Sequence, residues 1–240
     1  MHNKYYRRDN IGRILFSELD EKNKRNNKSF FESVKTLYFN DFKSIQIKKG
    51  FEIKKLIREG NLYYVKKGVI MRYFFDYHGF SKALDIVMED EILGLATLMN
   101  KVPVESQLLA LTNIELIVIP KKVVLENILE SFRLLYMNYQ YYISMHYLHW
   151  QVSQSNGEER VQSALIFLSH FIGETDSEGI YLPSYIGQKE IAEFACVTPS
   201  YVSKIIKKLA AENIVKVINK KTVIIDQEEL ISLTPYYQEH

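Results

Sequence analysis

Basic and short polar side chains are concentrated near the end of the chain, between Gln188 and Asp226. Seven lysines and three glutamates lie between Gln188 and Lys221, whereas residues 226–240 contain no lysine or arginine. Lysines interspersed with small polar residues bind phosphate groups and the edges of bases, so this segment is suited to nucleic-acid binding. A solvated lysine face on an ordinary helix is the alternative that charge alone favours.

The hydrophobic pattern of the same segment predicts two helices separated by a tight turn. Residues 191–195 give a short amphipathic helix, and Thr198-Pro199 then supplies an N-cap and a favoured first helical residue. The second helix would bury Val202, Ile205, Ile206 and Leu209. Two strands, IVKVI and TVIID, follow and are joined by Asn219-Lys220-Lys221. Helix, turn, helix and hairpin together predict a winged helix-turn-helix.

A winged helix-turn-helix binds DNA by placing its second helix in the major groove. Short side chains allow the backbone to approach the bases, and Lys204 would reach a guanine edge or a phosphate. The helix N-terminus favours phosphate, and lysines on the second helix and the hairpin would add contacts that weaken with salt. The candidate DNA-binding residues of this part are Thr198, Ser200, Tyr201, Ser203, Lys204, Lys207, Lys208, Lys220 and Lys221.

Before Pro120, the pattern of apolar and polar residues has a different period. Residues 45–120 contain short runs rich in Tyr, Phe, Val and Ile, separated by glycine turns, and these predict six to eight strands of an antiparallel barrel or jelly roll. Before it, the sequence predicts a short helix over residues 11–19 and a second helix capped by Ser29. The second helix would place Phe30, Val34, Leu37 and Tyr38 on one face.

A long helix is predicted between the strands and the winged helix-turn-helix. KKVVLENILESF reads as a short helix, and residues 133–156 then continue without Gly or Pro. Tyr141, Met145, Leu148 and Val152 are spaced four, three and four residues apart, as in a coiled-coil seam. Either the chain's own barrel or the same helix of a second subunit would cover this stripe, and we favour a homodimer.

The order of these parts resembles the Crp/Fnr superfamily of bacterial transcription regulators, from about Asp41 to Asp226. The most specific piece, QKEIAEFACVTPSYVSKIIKKLAAENIVK, is similar in length and hydrophobic register to the DNA-binding signature of that family. NLYYVKKGVIMRYFFDYHG resembles its strand, Gly, strand, turn pattern in the ligand domain. By position, Pro199, Ser200 and Lys204 stand where the family reads bases, and Gln188 and Lys189 stand where it contacts phosphate.

The resemblance implies an α+β protein in three parts. Residues 1–130 would form a β-roll like a cyclic-nucleotide-binding domain with flanking helices, 131–156 the dimerisation helix, and 157–240 the winged helix-turn-helix. The implied partners are double-stranded DNA with a palindromic operator, a second copy of the chain and RNA polymerase. A dimer of this kind spaces its half-sites about one helical turn apart, roughly 34–36 Å.

The sequence departs from the members of the family that bind cyclic AMP. Their phosphate cassette contains Gly-Glu-Leu followed by Arg-Ser, and the matching stretch here is ILGLATLMNKVPVESQLLALT. Gly94 remains, but Leu95 stands at the ribose-binding Glu and Glu105 at the phosphate-pairing Arg. A glutamate repels a phosphodiester, so we expect no cofactor and no response to cyclic AMP. The sequence resembles the Gram-positive branch that includes the listerial virulence activator, whose members lack the cyclic-nucleotide residues.

Tyrosines in the β-roll leave a different effector open. Tyr63 and Tyr73, with Gly94 and Leu95, mark a candidate pocket for an unidentified small molecule. Aromatic core packing with hydroxyl groups at the rim explains the same tyrosines, and we favour it. Regulation without any ligand is a further alternative.

Other classes of function have weaker support in the sequence. His146 and His149 are three residues apart on a predicted helix, but no motif of a metalloenzyme, phosphate loop or hydrolase accompanies them, so we expect neither a metal site nor an enzyme. Cys196 is expected to be a small buried turn residue. A winged helix that binds protein is the remaining alternative. The charged N-terminus and the lack of a long apolar stretch predict a cytoplasmic protein.

Overall fold

The computed structural model describes residues 11–53, 60–75, 78–79, 81–95 and 107–234. The chain forms two compact units. The N-terminal unit comprises Ser17–Met145, and the C-terminal unit comprises His146–His240 together with Met1–Phe16. The boundary falls inside the helix that the sequence predicts as a separate dimerisation segment.

Among the described residues, the N-terminal unit has seven strands in two antiparallel sheets. One sheet has the strand order β1-β7-β2-β5 and the other β4-β3-β6. The strands are β1 (Lys43–Ile47), β2 (Leu62–Lys67), β3 (Ile70–Phe75), β4 (Ser81–Val87), β5 (Ile92–Leu93), β6 (Gln107–Ala110) and β7 (Ile114–Ile119). Val65, Ile70 and Leu116, from both sheets, belong to one buried apolar cluster. The predicted antiparallel β-roll is confirmed.

In the described part of the chain, the helices next to these strands are α1 (Ile11–Leu37), α2 (Lys121–Glu126) and α3 (Ile128–Ser153). The second half of α1 contributes Phe30 and Val34 to a further apolar cluster, with residues of β2 and of α2. Phe31 stacks on Tyr64 of β2, with 4.0 Å between the ring centroids. Alternation along β2 therefore buries both of its faces, one between the sheets and one under the helices.

The prediction of two separate helices before residue 42 is wrong, because α1 is continuous and Ser29 lies inside it. Its buried face is polar in the first half, where Asp20, Asn23 and Asn27 are covered. Asn138 on α3 donates from Nδ2 to Asn27 Oδ1 at 2.8 Å, so a polar run that resembles a loop in sequence packs as a helix. Leu37, predicted to be on the buried face, is 69% exposed.

The predicted boundary between the next two helices is also wrong. Asn127 leaves the helical conformation, with φ −116° and ψ 56°, so α2 ends at Glu126 and α3 begins at Ile128. The hydroxyl of Ser131 donates to the carbonyl of Val124 at 2.8 Å, which satisfies an acceptor that the break leaves without a helical donor. The long helix thus starts five residues earlier than the sequence predicts.

The C-terminal unit joins four helices to a small antiparallel sheet. The helices are α4 (Gly157–Ile172), α5 (Gln188–Ala195), α6 (Pro199–Ala211) and α7 (Gln227–Ser232). The sheet has the order β10-β11-β9-β8, with β8 (Glu174–Thr175), β9 (Ile180–Tyr181), β10 (Val215–Ile218) and β11 (Lys221–Ile224). The acidic stretch GETDSEG contains β8, which pairs with β9 in a short hairpin. The α+β fold class is confirmed, and no described helix is long and apolar enough to cross a membrane.

Candidate nucleic-acid interface

Helix α5 and the turn after it hold the start of α6 in place. The carboxylate of Glu190 accepts from the backbone N–H of Gly187 at 2.9 Å, which caps the first turn of α5. Ile191 and Phe194 are buried, and α5 stops at Cys196, which adopts the left-handed conformation with φ 51°. A left-handed residue ends a helix, so the chain turns within three residues and begins α6.

Helix α6 has the two faces that the sequence predicts. Thr198 accepts from the backbone N–H of Tyr201 at 3.3 Å, and Pro199 occupies the first helical position. The apolar stripe from Val202 to Leu209 is buried, so the opposite face is left to polar and basic side chains. On that face Thr198, Pro199, Ser200, Lys204 and Lys207 are exposed, while Tyr201 and Ser203 are half-buried.

Strands β10 and β11 form the predicted wing. Ile218 pairs with Lys221, so only Asn219 and Lys220 make the turn. Both have positive φ, 50° and 67°, as a two-residue type I′ hairpin requires. Lys220 lies exposed at the tip, and Lys221 is the first residue of β11 rather than part of the loop. Gln188 and Lys189 are exposed at the start of α5.

Lys208 differs from the other candidate lysines because it has a protein partner. Its Nζ donates to Glu158 Oε1 on α4 at 2.6 Å. This hydrogen bond raises the pKa of Lys208, so the lysine stays charged while Glu158 neutralises its field. The sequence analysis grouped Lys208 with the phosphate-binding lysines, since nothing near it in the chain indicates a partner fifty residues away.

Two further residues contact the helix-turn-helix that the sequence analysis did not single out. Arg160 on α4 donates from Nε to the carbonyl of Ala195 at 2.9 Å and from Nη1 to the carbonyl of Ser155 at 2.9 Å. Gly157 lies against the ring of Tyr201, because a Cβ added there would be 3.1 Å from Tyr201 Cε1. These contacts join residues far apart in the chain, so periodicity carries no signal for them.

The sequence comparison identifies the domain that holds this surface. Residues 159–233 match the family model of the Crp-like helix-turn-helix domain. The C-terminal unit is a Crp-like helix-turn-helix domain. No curated protein matches the sequence.

Solved structures share the fold over most of the chain. A cyclic nucleotide-binding domain containing protein from Listeria monocytogenes is 16% identical, with TM-score 0.70, over 85% of this chain and 99% of that one. The c-di-GMP responsive global regulator CLP of Xanthomonas campestris is 16% identical, with TM-score 0.67, over 80% and 98%. A CRP/FNR family transcriptional regulator from Thermus thermophilus is 19% identical, with TM-score 0.63, over 78% and 96%.

These matches confirm the resemblance to the Crp/Fnr superfamily. The chain combines the fold of those proteins with a Crp-like helix-turn-helix domain at residues 159–233. At identities below one fifth, the structural likeness establishes the fold, and the function has to be argued from the residues of this chain.

The residues predicted to form a dimer seam on α3 are not together on the surface of this Crp-like chain. Tyr141 and Met145 are 5% and 3% exposed, so the chain's own core covers them, and Val152 is half-buried. The side chain of Leu148 lies outside the described residues. α3 carries two apolar stripes, and Tyr141 and Met145 lie on the buried one, so these two residues are not available for a seam. The exposed one comprises Leu129, Phe132, Tyr136, Tyr139, Ile143 and Trp150.

The candidate effector residues are divided between two places in the β-roll. Tyr63, 1% exposed, lies in the cluster between the sheets, whereas Leu95 belongs to the cluster under the helices. Tyr73 is buried and donates its hydroxyl to Glu52 Oε1 at 3.2 Å. Gly94 has φ 95°, and a Cβ there would be 2.5 Å from the carbonyl of Asn61. The structure therefore does not gather these residues into one lining, and Glu105 lies outside the described residues.

His146 and His149 lie on α3, and Cys196 lies in the turn before α6. In the described part of the chain, no group of three or more His, Cys, Asp or Glu is placed to hold a metal ion. Cys196, expected to be buried, is exposed at the turn between α5 and α6. Its left-handed backbone directs the side chain outward while Ala195 takes the buried position.

Proposed function

We propose that the chain is a sequence-specific transcription regulator that binds a palindromic operator as a homodimer in the cytoplasm, without cyclic AMP. The observation that carries the proposal is the exposed face of α6, where an N-terminus of small residues is followed by Lys204 and Lys207. RNA polymerase is the partner that a promoter-bound regulator would contact, and a small-molecule effector of another kind remains compatible with the proposal.

The geometry of α6 fits the major groove. Its thirteen residues span about 20 Å, and a bare first turn of Pro199 and Ser200 allows close approach to the bases. Lys204 comes one turn later, within reach of a guanine edge. Gln188 and Lys189 at the start of α5, and Lys220 and Lys221 on the wing, would lie along the phosphate backbone on either side.

The exposed stripe of α3 supports the homodimer. Leu129, Phe132, Tyr136, Tyr139 and Ile143 are spaced three, four, three and four residues apart, and Trp150 follows one heptad after Ile143. Leu129 is 87% exposed and Trp150 is 61% exposed in the single chain. A heptad of large apolar side chains is the pattern by which two identical helices pack in a coiled coil. We therefore place a second copy of the chain on this stripe.

The independence from cyclic AMP rests on Leu95. This side chain is buried among apolar residues under the helices. By the resemblance, the family members that bind cyclic AMP carry a ribose-binding glutamate at this position. An apolar side chain accepts no hydrogen bond from a ribose hydroxyl. We expect the affinity for DNA to be unchanged when cyclic AMP is added.

Salt dependence tests whether the partner is DNA. Anisotropy of a labelled duplex should show affinity falling steeply between about 50 and 200 mM salt. Lys207→Ala combined with Lys220→Ala should lower the slope of log affinity against log salt by about two, whereas Lys48→Ala combined with Lys49→Ala, on exposed positions of the β-roll, should leave it unchanged. A wild-type protein without affinity for DNA at low salt would contradict the proposal and favour a protein-binding winged helix.

A further inference from the structure

The first turn of α4 contacts the helix-turn-helix at three points. Arg160 bonds the carbonyl of Ala195 at the end of α5, and its Nη2 lies 3.5 Å from the carbonyl of Cys196 in the turn. Gly157 lies against Tyr201 in the first half of α6. Glu158 bonds Lys208 in the second half of α6. The first turn of α4 therefore contacts both the segment between α5 and α6 and the two halves of α6.

Arg160 also bonds backward to the segment between α3 and α4. Its Nη1 donates to the carbonyl of Ser155, two residues after α3 ends. Asn156 then caps α4, since its side chain accepts from the N–H groups of Glu158 and Glu159 while Glu159 accepts from the N–H of Asn156. The capping box fixes the start of α4, so the guanidinium of Arg160 has a defined position between Ser155 and Ala195.

The chemistry of these contacts suits arginine specifically. The carbonyls at the end of α5 lack helical donors and carry the negative end of the helix dipole. A guanidinium presents several N–H groups in a fixed plane, so it bonds carbonyls on opposite sides at the same time. A lysine at this position carries all three of its N–H donors on one nitrogen, so it cannot reproduce two donors that are as far apart as Nε and Nη1.

We propose that Arg160 is a positioning residue for DNA recognition, which ties the turn before α6 to the end of α3 through Ser155. The inference rests on the proposed function, because it concerns how two recognition helices are held at one half-site spacing. If each α6 is tied to the end of its α3, and the two α3 helices pack together, the distance between the recognition helices is fixed. Arg160 then limits the range of distances between operator half-sites that the dimer can bind, although Arg160 itself does not contact DNA.

Operators with altered spacing test this role in the full-length protein. The panel contains the palindrome that the protein selects from random duplex DNA, and versions of it with one base pair added or removed between the half-sites. Each such change moves one half-site by about 3.4 Å and rotates it around the DNA helix. Wild type should prefer one spacing by about tenfold or more. Arg160→Ala should lose most of that preference while keeping the same half-site sequence and the same salt slope. Arg160→Lys should lose the spacing preference as Arg160→Ala does, because a single nitrogen does not replace the separate hydrogen bonds from Nε to Ala195 and from Nη1 to Ser155.

The control variant is Arg25→Ala. Arg25 is exposed on α1 and donates to the carbonyl of Glu21, so its removal deletes the same charge and a hydrogen bond to a carbonyl elsewhere. This variant should keep the spacing preference of wild type. An Arg160→Ala protein that also keeps the wild-type preference would overturn the proposal.

Hydrogen exchange gives a readout that does not depend on DNA. In Arg160→Ala, peptides covering residues 153–157 and 195–201 should both exchange faster, while the wing at residues 215–224 should not change. If wild type selects no DNA site, the proposed function fails, and the exchange measurement alone decides whether Arg160 ties the two segments. Unchanged exchange in both segments would overturn the role of Arg160 even where DNA binding is intact.

Discussion

At the scale of single residues, the proposed function gives two exposed lysines different roles. Lys204 projects from the first half of α6, whereas Lys221 lies on the wing. We expect Lys204→Ala to reduce discrimination between the operator and a mismatched site by about tenfold, because a base contact is worth about 1–3 kcal/mol. Lys221→Ala should weaken binding evenly across sequences. Binding isotherms on both duplexes measure this, and an equal loss of specificity from both variants would mean that the reading helix is misassigned.

Lys207 and Lys208 are adjacent in sequence but differ in their environment. Lys207 is exposed on α6, whereas Lys208 is held by Glu158. We expect Lys207→Ala to lower the salt slope of DNA binding by about one and Lys208→Ala to change it by less. Glu158→Gln should strengthen non-specific binding, because it releases the charge of Lys208. If Lys208→Ala lowers the slope as much as Lys207→Ala, the ion pair opens on DNA and the distinction is wrong.

Glu91 gives the N-terminal unit a dependence on pH. Burial raises the pKa of Glu91 to about 8, the carboxylate of Asp20 adds to the shift, and Lys24 opposes it. A carboxyl with a raised folded-state pKa stabilises the fold at low pH, and this stability is lost as pH rises from the unfolded value towards the folded one. Between about pH 5 and 8 the free energy of unfolding should fall by up to about 1.4 kcal/mol per pH unit from this group.

Chemical denaturation at several pH values tests this effect. Glu91→Gln, which stays neutral, should flatten the dependence on pH over that range. Glu115→Gln is the matched control, because the hydrogen bond from Lys66 lowers the pKa of Glu115, so its contribution is lost only in acid. A Glu91→Gln protein with the wild-type slope would show that Glu91 is ionised in the fold.

The residues of the helix-turn-helix were predictable because their signals are local. The N-cap at Thr198, the proline after it and the apolar stripe of α6 all lie within twelve residues. The contacts of Arg160 and Glu158 could not be predicted, since their partners lie 35 and 50 residues away along the chain. Cys196 was misjudged because the sequence gives no indication that its backbone is left-handed.

At the scale of elements, α3 shows why periodicity alone does not choose a face. Both the stripe with Tyr141 and Met145 and the stripe with Tyr139 and Ile143 have coiled-coil spacing. The difference is that the core of the chain covers the first and leaves the second exposed. The polar buried face of α1 is a similar case, since Asn27 is hydrogen-bonded to Asn138 on α3 and follows no apolar pattern.

The dimer prediction belongs to this scale. Ile143→Asp should convert the protein to a monomer, because an unpaired carboxylate in a coiled-coil seam is strongly unfavourable. Leu125→Asp is the matched control, since Leu125 is exposed on α2, outside the stripe. Sedimentation equilibrium gives the mass of each. A dimeric Ile143→Asp protein would place the interface elsewhere.

At the scale of the whole molecule, the β-roll, the long helix and the winged helix-turn-helix were all predictable, because each has its own period and turn residues. The division into two units could not be predicted, since the boundary between Met145 and His146 lies inside one continuous helix. The helix pattern continues through this point, and only the packing of side chains assigns its two parts to different units.

The central claim is that the chain recognises one DNA sequence as a symmetric dimer. Selection of random duplex DNA with the purified full-length protein, at low and moderate salt and with or without cyclic AMP, tests it most directly. We predict enrichment of one palindrome with half-sites about one helical turn apart, weaker recovery at higher salt, and no effect of cyclic AMP. Recovery of sequences without a shared site, or of single half-sites without a symmetric partner, would contradict the claim.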